Sequence, residues 1–133
     1  MQDIISLYRN YPKYDNLHDL DLENYIKPSI FLNQYKKHYH NNKLIGFTNW
    51  GLLSDEAHNQ FKQTGLIDNK DWKSGNNLWH IETICKYNLK NIMKWTKSFL
   101  TKQFGIGKEI NWIRIKDNKI VRIVTRTTKE AWL

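Results

Sequence analysis

Three groups of residues have types and spacings that chemistry uses. His38 and His40 flank Tyr39 in a run of strand character, so their imidazoles share one face. Paired imidazoles bind transition metals, but two of them with no carboxylate or thiolate nearby fall short of a zinc site. No metal is expected. Gln103-Phe104-Gly105-Ile106-Gly107 has the glycine spacing of a phosphate-binding loop. Such a loop works at a helix N-terminus, where free N–H groups and the helix dipole meet the anion. Here it follows a helical pattern and precedes a strand pattern, so the glycines mark a helix stop. The third group is the mixture of basic and aromatic side chains, the composition of a surface on which bases stack. No RNP motif, zinc finger or basic recognition helix accompanies it, and core packing is the more ordinary use of the aromatics.

The chain has 133 residues, 40% hydrophobic and 14% aromatic, with six Trp. That suits one domain over 1–133 with a single core and excludes a disordered chain. No apolar run approaches the ~20 residues of a membrane span. The first five residues lack the basic region and apolar stretch of a secretory signal. Cys85 is the only cysteine, so neither an internal disulfide nor a Cys-based zinc site is open to the chain. A cytoplasmic, reducing compartment is the expectation. The net charge of +8 suits an acidic partner or a well-solvated surface.

The elements that must position any site follow from periodicity. Residues 2–9 suit a short helix, followed by a loop over 10–16. Asp19 or Asp21 is expected to cap a helix beginning near Leu20, which Pro28 should kink or restart. Residues 34–50 read as a hairpin, with arms Tyr35 to His40 and Leu44 to Trp50 and a turn over Asn41-Asn42-Lys43. Ser54 is an N-cap, Ala57 and Phe61 form the inner face of its helix, and Gly65 ends it. A polar loop over 68–77 holds Trp72 as an anchor. Leu78 to Ile84 should be a strand, and Asn88 should cap a helix from Leu89 to about Phe104. Ile110 to Lys116 and Lys119 to Arg126 alternate around Asp117-Asn118, the pattern of a second hairpin. The fold class is therefore α/β or α+β, with a mainly antiparallel sheet flanked by helices.

Within that frame one stretch is specific. Gly46-Phe47-Thr48-Asn49-Trp50-Gly51-Leu52-Leu53-Ser54-Asp55-Glu56-Ala57 runs from strand to Trp to an acidic helix start. Asp71-Trp72-Lys73-Ser74-Gly75 follows, and then Leu78-Trp79-His80-Ile81-Glu82. Pro28 and Asn33-Gln34-Tyr35 stand upstream, and Trp112-Ile113-Arg114-Ile115 downstream. In order and spacing these segments resemble the RTX toxin-activating lysine acyltransferases, the HlyC-like family, over roughly 28–126.

The resemblance implies a fold similar to N-acetyltransferases without the usual CoA phosphate loop. It implies transfer of a fatty acyl group from acyl carrier protein, the donor, to an internal lysine of a protein acceptor. No bound cofactor is implied, and homodimerisation is a further expectation. A carrier protein of acidic character suits a basic enzyme. The family pairs an N-terminal His with an acidic residue after the Trp-Ser-Gly loop. The acid falls on Glu82, where the family has Asp. The His has two candidates: His18, the only His upstream of Pro28, and the position of Tyr8 in Tyr8-Arg9-Asn10-Tyr11-Pro12. With His18, the implied roles are a general base oriented by Glu82, because a lysine ammonium must lose a proton before it attacks. Arg114 matches a basic position and suits an anion contact. Trp50, Trp72 and Trp79 match family aromatics expected in the core and acyl pocket. The family's Pro-Phe-Gly is replaced by Ile84-Cys85-Lys86-Tyr87. These departures also suit a second reading, a non-catalytic member that binds an acidic protein or nucleic acid.

Overall fold

The structure is a computed structural model and describes residues 1–116 and 119–133; the expected turn at Asp117-Asn118 lies outside the described residues. In chain order the elements are α1 (Gln2–Tyr8), a 3-10 turn (Pro12–Tyr14), α2 (Asp19–Phe31), β1 (Tyr35–His40), β2 (Lys43–Leu53) and α3 (Asp55–Thr64). A second 3-10 turn (Asn69–Asp71), β3 (Asn77–Cys85), α4 (Leu89–Phe104), β4 (Glu109–Lys116), β5 (Lys119–Thr127) and a last 3-10 turn (Glu130–Trp132) follow. The five strands form one sheet in the order β1-β2-β3-β4-β5. Three neighbouring pairs are antiparallel and β3–β4 is parallel, α4 serving as the crossover. The expected α+β fold with a mainly antiparallel sheet is what forms.

Local chemistry explains most of the boundaries. Asn41 and Asn42 take positive φ, at 50° and 64°, which Asn tolerates better than most residues and a tight hairpin requires. The Ser54 hydroxyl accepts the Ala57 N–H at 3.1 Å, and Gly65 ends α3 in the left-handed region. Three expectations are corrected. α2 runs continuously through Pro28, because a proline in the last turn removes only one backbone bond while the preceding turns hold. Its N-cap residue is His18, which makes no capping bond; Asp19 instead pairs with Arg9. Asn88 stands at the start of α4 with φ 68° and caps no backbone N–H; its side chain accepts from Asn91.

The sheet buries both faces. One side packs Ile4, Leu7, Tyr8, Tyr14, Leu22 and Ile26 of α1, α2 and the turn between them onto Phe47 and Ile84, with Ala57 and Phe61 of α3 against Leu53 and Trp79 nearby. The other side lays Leu100 of α4 against Trp50, Leu78 and Ile110. Among the described residues no helix is long and apolar enough to cross a membrane.

Candidate active site

The parallel strands β3 and β4 pair only at Leu78↔Ile110 and Trp79↔Asn111. Beyond those two positions they diverge. The divergence begins where β3 carries one extra residue: Asn49 faces Glu82 while Trp50 faces His80, leaving Ile81 unmatched. Such a bulge bends its strand and twists it away from its neighbour. A cleft of about 500 Å³ opens there, lined by Tyr11, Pro12, Lys13, Tyr14, Glu82, Thr83, Ile84 and Ile115. Its far wall is the chain after α1. Tyr11 pins that wall to β3, its hydroxyl accepting from the Cys85 N–H at 3.1 Å and facing the Cys85 carbonyl at 3.2 Å. Arg9 braces it by donating to the Tyr14 carbonyl at 2.7 Å.

Glu82 is the only carboxylate among the cleft-lining residues. The Tyr14 hydroxyl donates to its Oε2. Its Oε1 is shut off from water and has no hydrogen-bond partner. Tyr8, fully buried, packs edge-on to Tyr14 with ring centroids 5.0 Å apart. The Tyr8 hydroxyl is near enough to act on the carboxylate but forms no hydrogen bond of normal length. Asn49 stands directly opposite Glu82 on β2, and its Oδ1 is likewise buried and unpartnered. Burial raises the Glu82 pKa above the ordinary carboxylate range; the hydroxyls of Tyr14 and Tyr8 and the charge of Lys13 pull it part of the way back. Burial and the neighbouring carboxylate push the Tyr8 and Tyr14 phenols up, so both stay protonated, and Tyr14 is the one that donates to Glu82.

A second polar chain crosses the opposite face of the sheet. His80 Nε2 lies 2.7 Å from Thr83 Oγ1, Thr83 Oγ1 lies 3.2 Å from Thr48 Oγ1, and Thr48 Oγ1 lies 2.9 Å from His38 Nε2. Burial lowers both histidines to about 4, so both are neutral near pH 7.

The residues singled out in the sequence are scattered relative to this cleft. Glu82 lines it. His18 is exposed at the start of α2; its carbonyl accepts from the Leu22 N–H, and its side chain makes no hydrogen bond or ion pair with Glu82 or any other described residue. Arg114 is exposed on β4 opposite Arg122. Trp50, Trp72 and Trp79 are core residues, 5%, 1% and 0% exposed, and none lines the cleft. Trp50 packs on Phe99 and Trp79 on Phe61. Tyr14, Asn49, Thr83 and His80 were not singled out. Tyr14 sits in a stretch with only turn signals, and the link from His80 to Thr83 depends on a bulge that leaves no mark in the sequence. Among the described residues no group of three or more His, Cys, Asp or Glu is placed to hold a metal ion.

Residues 1–127 match the model of the HlyC family, the RTX toxin acyltransferase family. No curated protein matches the chain. The family match spans nearly all of the sequence, and the chain belongs to the RTX toxin acyltransferase family.

Proposed function

We propose that this RTX toxin acyltransferase family member moves a fatty acyl group from acyl carrier protein to a lysine amine of a protein acceptor, with Glu82 as the base. One observation carries the reading: a carboxylate whose pKa burial has raised lines the cleft between the diverging strands. A lysine ammonium is no nucleophile until it gives up a proton, and a base with a raised pKa takes it more readily. The unpartnered Oε1 of Glu82, the facing Oδ1 of Asn49 and the Tyr8 hydroxyl are oxygens that an entering ammonium would satisfy. The cleft then holds amine and thioester together, which removes much of the entropic cost of their meeting. The exposed Arg114 and the +8 charge favour approach of an acidic carrier.

The test is intact-mass spectrometry of octanoyl-charged acyl carrier protein incubated with the full chain and Nα-acetyl-lysine amide. Wild type should discharge the carrier and form the amide. Glu82→Gln should lower the rate by about a hundredfold or more, in the range of a lost general base, with an unchanged far-UV spectrum. His18→Ala should transfer at nearly the wild-type rate, because its ring contacts nothing in the cleft. Equal rates for Glu82→Gln and wild type would refute the role. A second reading, a binding protein for nucleic acid or an acidic protein, draws on the phenol of Tyr8 standing where a His would serve as base. An intact carrier throughout, with salt-sensitive submicromolar binding to single-stranded nucleic acid, would establish it.

A further inference from the structure

We infer that Thr83 is a nucleophile activated by His80, so that acyl transfer passes through an ester on this chain. The inference rests on the acyl-transfer reading above. It starts from the bulge at Ile81. In a regular strand, residues three apart point to opposite faces. The extra residue brings His80 and Thr83 to the same side, and the imidazole Nε2 meets the hydroxyl at 2.7 Å. That is the contact a base makes with the nucleophile it activates.

His80 is neutral near pH 7, so one ring nitrogen is free to accept; with the ring proton on Nδ1, Nε2 accepts the Thr83 O–H. Thr83 Oγ1 also lies 3.2 Å from Thr48 Oγ1, and Thr48 Oγ1 lies 2.9 Å from His38 Nε2, so the pair continues into a hydrogen-bonded chain. His80 is only 8% exposed, which protects the pair from bulk water. Thr83 is a lining residue of the cleft, while its hydroxyl bonds on the face opposite Glu82; the gap where β3 and β4 cease to pair is the way from one group to the other. The family's proposed His–acid pair needs neither residue.

The step balances without a further reactant. Thr83 Oγ attacks the thioester carbonyl and its proton passes to His80 Nε2. The C–O bond forms, the C–S bond breaks, and the departing thiolate takes the proton from the imidazolium. The enzyme is then an ester on Thr83. An acceptor amine, freed of its extra proton by Glu82, attacks that ester. Its remaining surplus proton returns through His80 to Thr83 Oγ as the C–O bond breaks, and the product is an amide.

The experiment omits the acceptor. The full chain is mixed with octanoyl-charged acyl carrier protein, quenched, and measured by intact mass and peptide mapping. An octanoyl adduct on Thr83 is expected. As an oxygen ester it should resist neutral hydroxylamine and yield to alkaline hydroxylamine, whereas a thioester on Cys85 yields at neutral pH and a lysine amide resists both. Thr83→Ser should keep the adduct. Thr83→Val, nearly the same shape without the hydroxyl, should lose it and slow transfer to Nα-acetyl-lysine amide by at least tenfold. His80→Gln should slow adduct formation by a similar factor, and Cys85→Ala should leave it unchanged. In Glu82→Gln the Thr83 adduct should form and persist, because the acceptor step is blocked. An adduct mapped to Cys85 or a lysine overturns the inference, as does Thr83→Val transferring at the wild-type rate; either outcome leaves the acyl-transfer reading standing. Neither adduct nor transfer in wild type overturns both.

Discussion

Tyr14→Phe tests the candidate site most directly, because it removes one atom from the centre of the cleft. The Tyr14 hydroxyl donates to Glu82 Oε2, and among the described residues Oε1 has no hydrogen-bond partner. A hydrogen bond to a charged group stabilises it by about 1.5–3 kcal/mol net. Since about 1.4 kcal/mol corresponds to one pKa unit, losing the bond should raise the Glu82 pKa by about one to two units above its already raised value. Phe keeps the ring contacts with Tyr8 and Tyr25, so the fold should hold. The assay is kcat/KM for transfer of octanoyl from the carrier to Nα-acetyl-lysine amide, measured across pH. Glu82 acts as base only when ionised, so the acid limb of the profile should move toward higher pH by the same one to two units. The plateau should change by no more than a few-fold. Tyr14 itself stays protonated throughout, because burial and the carboxylate hold its pKa high. An acid limb that does not move in a folded Tyr14→Phe enzyme would refute the assignment of Glu82 as the titrating base.

Acid should destabilise the protein through its buried histidines. His38 and His80 titrate near 4 when folded and near 6.5 ordinarily, so the unfolded chain binds their protons first as pH falls. Their contribution is fully present above pH 6.5 and is lost on the way down to about 4, at up to roughly 3 kcal/mol for the enclosed His80 and less for His38, whose shift solvent screens. Glu82 has the opposite sign: its raised pKa costs stability as pH rises above the ordinary 4.5, which offsets part of the loss. Thermal melts at pH 4, 5, 6 and 7 should show Tm falling below pH 6.5, and a flat profile would contradict the burial of both rings. Gly75→Ala should lower Tm by several degrees. A Cβ there would stand 2.6–2.7 Å from backbone atoms of Leu53 and Ser54, and relieving that overlap costs roughly 1–3 kcal/mol. An unchanged melting curve would mean that the loop after Trp72 is not docked on β2 as described.

Most of the fold was legible because its signals are local. The Asn41-Asn42 hairpin, the Ser54 cap, the Gly65 stop and the alternating strands each follow from a few neighbouring residues. The misses have physical causes of the same scale. Pro28 near a helix end costs one backbone bond, too little to break α2. Asn88 and Asp19 have the right chemistry for caps but find partners in Asn91 and Arg9. The site was legible only in part. Glu82 was singled out through the order of motifs around it, and it lines the cleft. Its partners lie 68 residues away at Tyr14 and 33 away at Asn49, and their closeness is a product of folding. The pairing of His80 with Thr83 depends on a bulge with no residue signature, since Ile81 is an ordinary strand residue.

The tyrosines around Glu82 decide what kind of carboxylate it is. A buried acid needs a partner, because an uncompensated charge in the interior is costly. Arg, Lys or protonated His would supply one, but an adjacent cation holds the carboxylate in its charged form and pulls its pKa down by about one to three units. Such a pair is a salt bridge and a poor base. A phenol donates a hydrogen bond without bringing charge, so it steadies the carboxylate while desolvation still prevails and the pKa stays raised. The nearest cation, Lys13, is exposed on the rim, where solvent weakens its pull. The tyrosines leave the acid with no adjacent cation and with an unfilled oxygen, the state in which a carboxylate can take a proton from an ammonium.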